Sequence, residues 1–301
     1  LMNNREWIPC ARLIPRVDPL GMEIWMQELL NERMERKSGI IHESLASSRG
    51  NWEEVFYAKL MRGFGNPVNA EPFERLANSL PLNVLLRHRG EPIKVEALLF
   101  GQAGWLTDDF PDPYYRELKT EYVFLAIKYS LKPLPAHTWH FARLRPVHFP
   151  TIRLSQFATL ICRQENLFST LLEKSDMDRV MEIFRLSPSP YWLEHYRLGI
   201  PAPPRNKQAG ETFILSLLNN VIIPFRYAYS AFTGRPEGKK EAVSLLRQQP
   251  PENNRITRNW VSLGLSNDNA ASSQALIHLK KEYCSFKKCL CCQIGRMILQ
   301  P

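Results

Sequence analysis

Apolar residues recur along this chain at helical spacing. Behind Asp18-Pro19, a cap residue followed by proline at the first helical position, Ile24, Trp25, Leu29 and Leu30 share a face. That pattern runs toward Ser48, with a break expected at Gly39. Asn51 caps a second helix, and Glu54 stands three residues on, where it would close a capping box. Trp52, Val55, Phe56, Leu60 and Phe64 line its apolar face, and Gly63 and Gly65 stop it. Asn69 to Leu80 repeats the plan, with Asn69 as cap and Phe73, Leu76, Ala77 and Leu80 as stripe. Pro92 opens a helix carrying Val95, Leu98 and Leu99 that ends near Gly104-Trp105. The stretch Tyr114 to Leu131 places Leu118, Val123, Phe124 and Ile127 on one face. After the Pro-, aromatic-, Arg- and His-rich connection Pro133 to Pro150, helices resume from Thr151 and after Asp176. They continue over Glu211 to Tyr229, Asn254 to Leu263 and Asn269 to Tyr283.

Alternation at period two is scarce, and no repeat of fixed period occurs. The expected fold is all-α or mainly α: an irregular multi-helix bundle with Pro-rich connections and a Cys-rich C-terminal tail. Residues 1–17, where Pro9 and Pro15 flank short apolar pieces, read as an N-terminal extended arm or the remnant of an upstream domain. Residues 18–200 read as a helical body. Pro201-Ala202-Pro203-Pro204 marks a linker over 201–209, and 210–301 a C-terminal helical module with the Cys cluster.

Composition sharpens this picture. Of 301 residues, 44% are hydrophobic and 23% charged, which supports a sizeable core and excludes disorder over most of the chain. The 23 prolines call for many short helices with defined stops. The net charge of +9 is compatible with nucleic acid, an acidic partner or an anionic surface. It is spread along the chain, and blocks such as Glu32 to Lys37 mix both signs as a solvated face does. No apolar run approaches the ~18 to 20 residues that span a bilayer. Phe213 to Phe225, broken by Ser216, Asn219, Asn220 and Pro224, reads as a buried helix. Leu1 to Glu6 leads into Trp7 with no apolar signal core, and the abrupt opening suggests an upstream segment. Four of the six cysteines crowd between Cys284 and Cys292, a distribution that fits a reducing, cytoplasmic compartment.

Three constellations could carry chemistry. Cys284, Cys289 and Cys292 stand at intervals of four and two residues, which a turn entering a helix can converge on a zinc ion or an iron–sulfur cluster. Cys291 would point elsewhere, His278 lies on the preceding helix, and Cys10 is distant in sequence. The plainer reading is a knot of buried, reduced cysteines. Lys280, Lys281, Lys287 and Lys288 would lower the thiol pKa values and make the group reactive.

Pro111-Asp112 with Glu117-Leu118-Lys119 imitates a metal-dependent nuclease signature, but all of it lies in one short helix start. Asp112-Pro113 there reads as a cap, and Glu117 as an ordinary surface carboxylate. Finally, His137, Trp139, His140, Arg143, Arg145, His148 and Arg153 interleave cations with Trp139, Phe141 and Phe149. The run reads as phosphate contacts and base-stacking surfaces, or as arginines that satisfy helix ends across a packed loop. The three histidines share no helix face that would hold a metal. Arg255, Arg258 and Trp260 form a smaller patch of the same kind. Ser–His–Asp sets, glycine-rich phosphate loops and His-Glu-x-x-His are absent, and no catalytic residue is assigned.

The chain resembles an uncharacterised bacterial family, the domain of unknown function 2851. The resemblance is carried by Asn51-Trp52-Glu53 through Gly63-Phe64-Gly65-Asn66-Pro67, Glu96 through Gly104, and Arg145-Pro146-Val147-His148-Phe149-Pro150-Thr151-Ile152-Arg153-Leu154. It continues in Asn219 to Tyr229 and in Ser273-Gln274-Ala275-Leu276-Ile277 with Cys284, Cys289, Cys292 and Gly295. The resemblance implies no assigned activity. It implies a longer N-terminus with a nuclease-like α/β segment that is not in this sequence, by fold-level analogy alone. These residues would then be a helical accessory or nucleic-acid-binding module of a nuclease-like protein. Arg143, Arg145, His148, Arg153, Arg255 and Arg258 are its anion-binding candidates, expected on one exposed face. The alternatives are a metal- or iron–sulfur-dependent enzyme centred on Cys284, Cys289 and Cys292, or a purely structural interaction protein.

Overall fold

The computed structural model describes residues 6–172 and 177–299. Leu1 to Arg5 and the helix start expected at Asp176 lie outside the described residues. The fold is mainly α; among the described residues the β structure is one short antiparallel pair, His195–Arg197 with Ile200–Pro201. The chain divides into two compact units. One joins residues up to Glu43 with those from Ile223 onward; the other is Ser44–Ile222. The 201–209 stretch lies inside the second unit instead of dividing the chain. It is pinned there by the Lys207 ammonium, which donates to the carbonyls of Trp192 (2.5 Å) and Leu193 (2.8 Å), and by Ala209 N–H donating to Leu186 O (2.8 Å).

In the first unit the helix Pro19–Ser47 starts where Asp18 Oδ2 accepts from Gly21 N–H at 2.7 Å. It buries Trp25, Leu29, Leu30 and Met34, and it passes Gly39 without a break. The N-terminal residues are not an extended arm. Ile8, Ala11 and Ile14 are buried, and Ala11–Arg16 is a 3₁₀ turn. The three-residue spacing eclipses in a 3₁₀ turn, so one short face enters the core with Tyr227, Leu246, Trp260 and Leu276. The helices Arg255–Ser262 and Ala270–His278 begin at reciprocal capping boxes, Asn254 with Thr257 and Asn269 with Ser272. A wide-turn stretch Leu279–Cys284, a 3₁₀ turn Cys289–Cys291 and the helix Gln293–Leu299 follow.

The second unit packs the helices Trp52–Phe64, Asn66–Ser79, Pro92–Gln102, Pro113–Tyr129 and Pro150–Arg163 around Phe64, Phe73, Phe100, Leu118, Phe157 and Trp192. Asn51 caps as expected, accepting from Glu54 N–H at 3.1 Å. Glu54 does not close the box, because its carboxylate accepts from Leu82 N–H at 3.1 Å instead. Gly63 is no stop signal: a Cβ there would fall 2.7 Å from a Leu217 methyl, so glycine admits the neighbouring helix. Pro113–Tyr129 is rotated from its expected face. It buries Tyr115, Leu118, Tyr122 and Leu125, and leaves Val123, Phe124 and Ile127 exposed. The reason is long-range: the Tyr122 ring lies against the backbone at Gly101, where a Cβ would sit 2.0 Å from the ring, and Tyr122 OH donates to Gln102.

Candidate functional site

The connection from Trp139 to Arg153 is held from below. Trp139 is buried against Phe73 and Trp105, and its indole N–H donates to Ala103 O at 2.8 Å. Asn69, expected to cap a helix, sits at a kink and clamps His140 instead. Its amide donates to His140 O and its oxygen accepts from His140 N–H, both at 2.8 Å. An aromatic chain continues outward from Trp105 to Phe141 and on to Phe149, with the Arg197 guanidinium 4.5 Å over the Phe141 ring.

The cations in this region separate by depth. Arg153 is 3% exposed. It donates to Gln156 Oε1 (2.8 Å) and to His148 Nδ1 (3.0 Å), and its guanidinium lies 3.5 Å over Phe213. Burial lowers its pKa to about 10. Gln156 passes the network on to Lys207 O at 2.7 Å. His148 therefore uses Nδ1 as an acceptor. Burial, then the charges of Arg153 and Arg145, push its pKa below the ordinary imidazole value, so it is neutral at pH 7. Arg153 and His148 are thus struck from the expected anion-binding face: they hold the fold. Arg143, in the left-handed backbone region at φ 61°, and Arg145 are exposed. Neither forms an ion pair among the described residues.

Arg255 and Arg258 belong to the first unit and are exposed, with Arg258 donating to Asn253 at 3.2 Å. Trp260 is no stacking platform. It is fully buried, donates to Leu276 O at 3.0 Å and packs edge-on to Trp7. Asp112 is a cap, as its setting suggested. One oxygen accepts from Tyr115 N–H and the other from Tyr191 OH, both at 2.9 Å. Lys119 is engaged by Asp109.

At the cysteine end, all six cysteines of the chain are free thiols. The lysines do not activate Cys284. Burial is the larger effect and, with the neighbouring cysteines, pushes its thiol up to about 12; Lys280 opposes this only in part. Among the described residues, no group of three or more His, Cys, Asp or Glu is arranged to hold a metal ion, the connection's histidines included. His278 does not turn to the cysteines. It is fully buried with Nε2 3.5 Å from Glu32.

The chain matches, over residues 1–255, the family described as a protein of unknown function, DUF2851. The chain belongs to that family. No curated protein and no solved structure matches it. The DUF2851 match contains the Trp139–Arg153 connection and Cys10, and it stops short of Cys284, Cys289 and Cys292. The description names no activity. Among the described residues, no helix of this DUF2851 chain is long and apolar enough to cross a membrane.

One interior site was not singled out from the sequence. Glu96 is buried and accepts from Ser155 Oγ and Tyr114 OH, each at 2.5 Å. Burial raises its pKa against the pull of those hydroxyls. A lone carboxylate inside the apolar run Val95 to Phe100 was the available signal.

Proposed function

We propose that this DUF2851 chain is a helical accessory module whose second unit binds single-stranded nucleic acid along Phe141 to Phe149. The observation that supports it is the exposed, unpaired state of Arg143 and Arg145 beside half-buried aromatic rings. The sequence around them strengthens the reading: no carboxylate occurs between Glu121 and Glu165, while Lys128, Lys132, Arg143, Arg145 and Arg163 do, besides the buried Arg153. Cations without neighbouring carboxylates are free to take phosphates, and Phe141, Phe149 and Arg197 add planar surfaces for bases. Arg255 and Arg258 offer a second cationic patch on the first unit. The same reading places the protein in a reducing bacterial cytoplasm, where its six cysteines stay as thiols or ligands.

The test is fluorescence anisotropy of a labelled single-stranded oligonucleotide with the full chain, repeated over a range of salt. Affinity should fall linearly on a log–log plot with salt. Arg143→Ala with Arg145→Ala should weaken binding and flatten the slope by about 1.4, two phosphates at ~0.7 each. An unchanged slope in that double variant, or no salt-dependent binding at all, removes the proposal.

A further inference from the structure

Cys284, Cys289 and Cys292 leave a four-thiolate set one ligand short. In the first unit the fourth cysteine arrives from the opposite end of the sequence. Cys10 precedes the 3₁₀ turn Ala11–Arg16, which packs with the terminal helix Gln293–Leu299. Cys10 and Cys284 lie against the same core that buries Cys292. Every pair among Cys10, Cys284, Cys289 and Cys292 is within electrostatic reach, and no disulfide joins any of them. Cys291 is exposed, and Cys162 belongs to the second unit.

The local backbone is shaped around this group. Lys288 N–H donates to Tyr283 O at 3.0 Å, and Cys292 N–H to Cys289 O at 3.3 Å, which folds the cysteine segment back on itself. Gly295 then passes close to Cys289; a Cβ there would fall 2.0 Å from the Cys289 carbonyl oxygen. Lys280 links the two ends from the side, donating to Trp7 O at 3.4 Å with its ammonium over the Trp7 ring.

The spacing selects the occupant. Intervals of four and two residues with a remote fourth cysteine are found at iron–sulfur centres, in which the thiolates bind different irons. Trp25 adds an outer-shell contact. Its side chain is 6% exposed and its indole N–H is directed at Cys292, the kind of hydrogen bond to sulfur that tunes such centres.

We propose that Cys10, Cys284, Cys289 and Cys292 ligate an iron–sulfur cluster that staples the N-terminal segment of the first unit to its C-terminal end. The cluster is taken up preformed from an iron–sulfur donor. Four S–Fe bonds form as the four bonds between the cluster's irons and the donor's ligands break, the four thiol protons pass to the released donor ligands or to solvent, and no electron is exchanged with the protein. The first unit is discontinuous in sequence, so this link closes a very long loop, and binding of the centre adds directly to folding.

The experiment is anaerobic purification of the full chain, followed by measurement of iron, acid-labile sulfide, zinc, visible absorption and the resonance spectrum of the dithionite-reduced protein. Iron and sulfide should be present in equal amounts, with broad visible absorption that reduction bleaches. Cys10→Ser and Cys284→Ser should each lose most of the iron, Cys162→Ser and Cys291→Ser should keep it, and Trp25→Phe should keep it with a shifted reduction potential. Iron- and sulfide-free wild-type protein overturns the proposal. So does zinc without sulfide, or a folded Cys10→Ser protein with its full iron. If the cysteine variants fail to fold, X-ray absorption at the iron edge of the wild-type protein decides: sulfur-only ligation supports the centre, and oxygen or nitrogen ligation rejects it.

Discussion

Beneath the Trp139–Arg153 connection, and again at the cysteine end, titratable groups gather away from solvent, yet the two regions treat them differently. In the first region three buried ionisable side chains find neutral partners in their own fold. Glu96 has the Ser155 and Tyr114 hydroxyls, Arg153 has Gln156 and His148, and Lys207 has two backbone carbonyls. At the cysteine end Cys10, Cys284, Cys289 and Cys292 are free thiols around one part of the core, and the Trp25 indole N–H is directed at Cys292. A polar group already satisfied by its fold needs no ligand and reads as structure. A set of free thiols gathered from both ends of the sequence reads as a place for something supplied from outside.

The sharpest way to break this comparison is Arg153→Ala. It would leave the Gln156 oxygen and His148 Nδ1 without their donor and open space against Phe213. Thermal or urea unfolding should show a loss of about 3 kcal/mol. A loss under about 0.5 kcal/mol would mean that Arg153 is not the structural residue its burial implies.

Glu96→Gln tests the same interior through pH. Burial raises the Glu96 pKa, so the folded chain holds this proton more tightly than the unfolded chain does. That contribution is fully present below the unfolded carboxylate pKa and is lost as pH rises through the folded value. The wild-type melting temperature should therefore fall, relative to Glu96→Gln, as pH rises from the carboxylate range toward neutrality. Parallel curves for the two proteins would show that Glu96 binds its proton equally well in the folded and unfolded chain.

Asp112→Ala should cost about 1 kcal/mol, the usual worth of a helix cap. Isothermal titration of Mg²⁺ or Mn²⁺ should look the same in wild type and variant, since the carboxylate serves Tyr115 and Tyr191. A divalent-ion signal that disappears with Asp112 would restore the nuclease-like reading of that stretch. The smallest change is expected from Arg143→Ala with Arg145→Ala, whose stability should stay within about 0.5 kcal/mol of wild type while nucleic-acid affinity drops. A large loss of stability would show that these arginines, too, serve the fold.

The sequence by itself determined the helical class and most helix starts. Asp18, Asn51, Asp112, Asn254 and Asn269 each initiate a helix where they were expected to, because a cap is a bond between residues two or three apart. It also displayed the cation–aromatic run and the cysteine spacing. Tertiary structure decided everything that depends on a distant partner. Asn69 clamps His140 instead of capping, Tyr122 turns a helix onto Gly101, and Arg153 leaves the surface that Arg143 and Arg145 keep. It also brought Cys10 to the core that Cys284 and Cys292 pack against. Local hydrogen bonds are written in short spacings, whereas burial and side-chain company are set by which segments the whole chain can pack together.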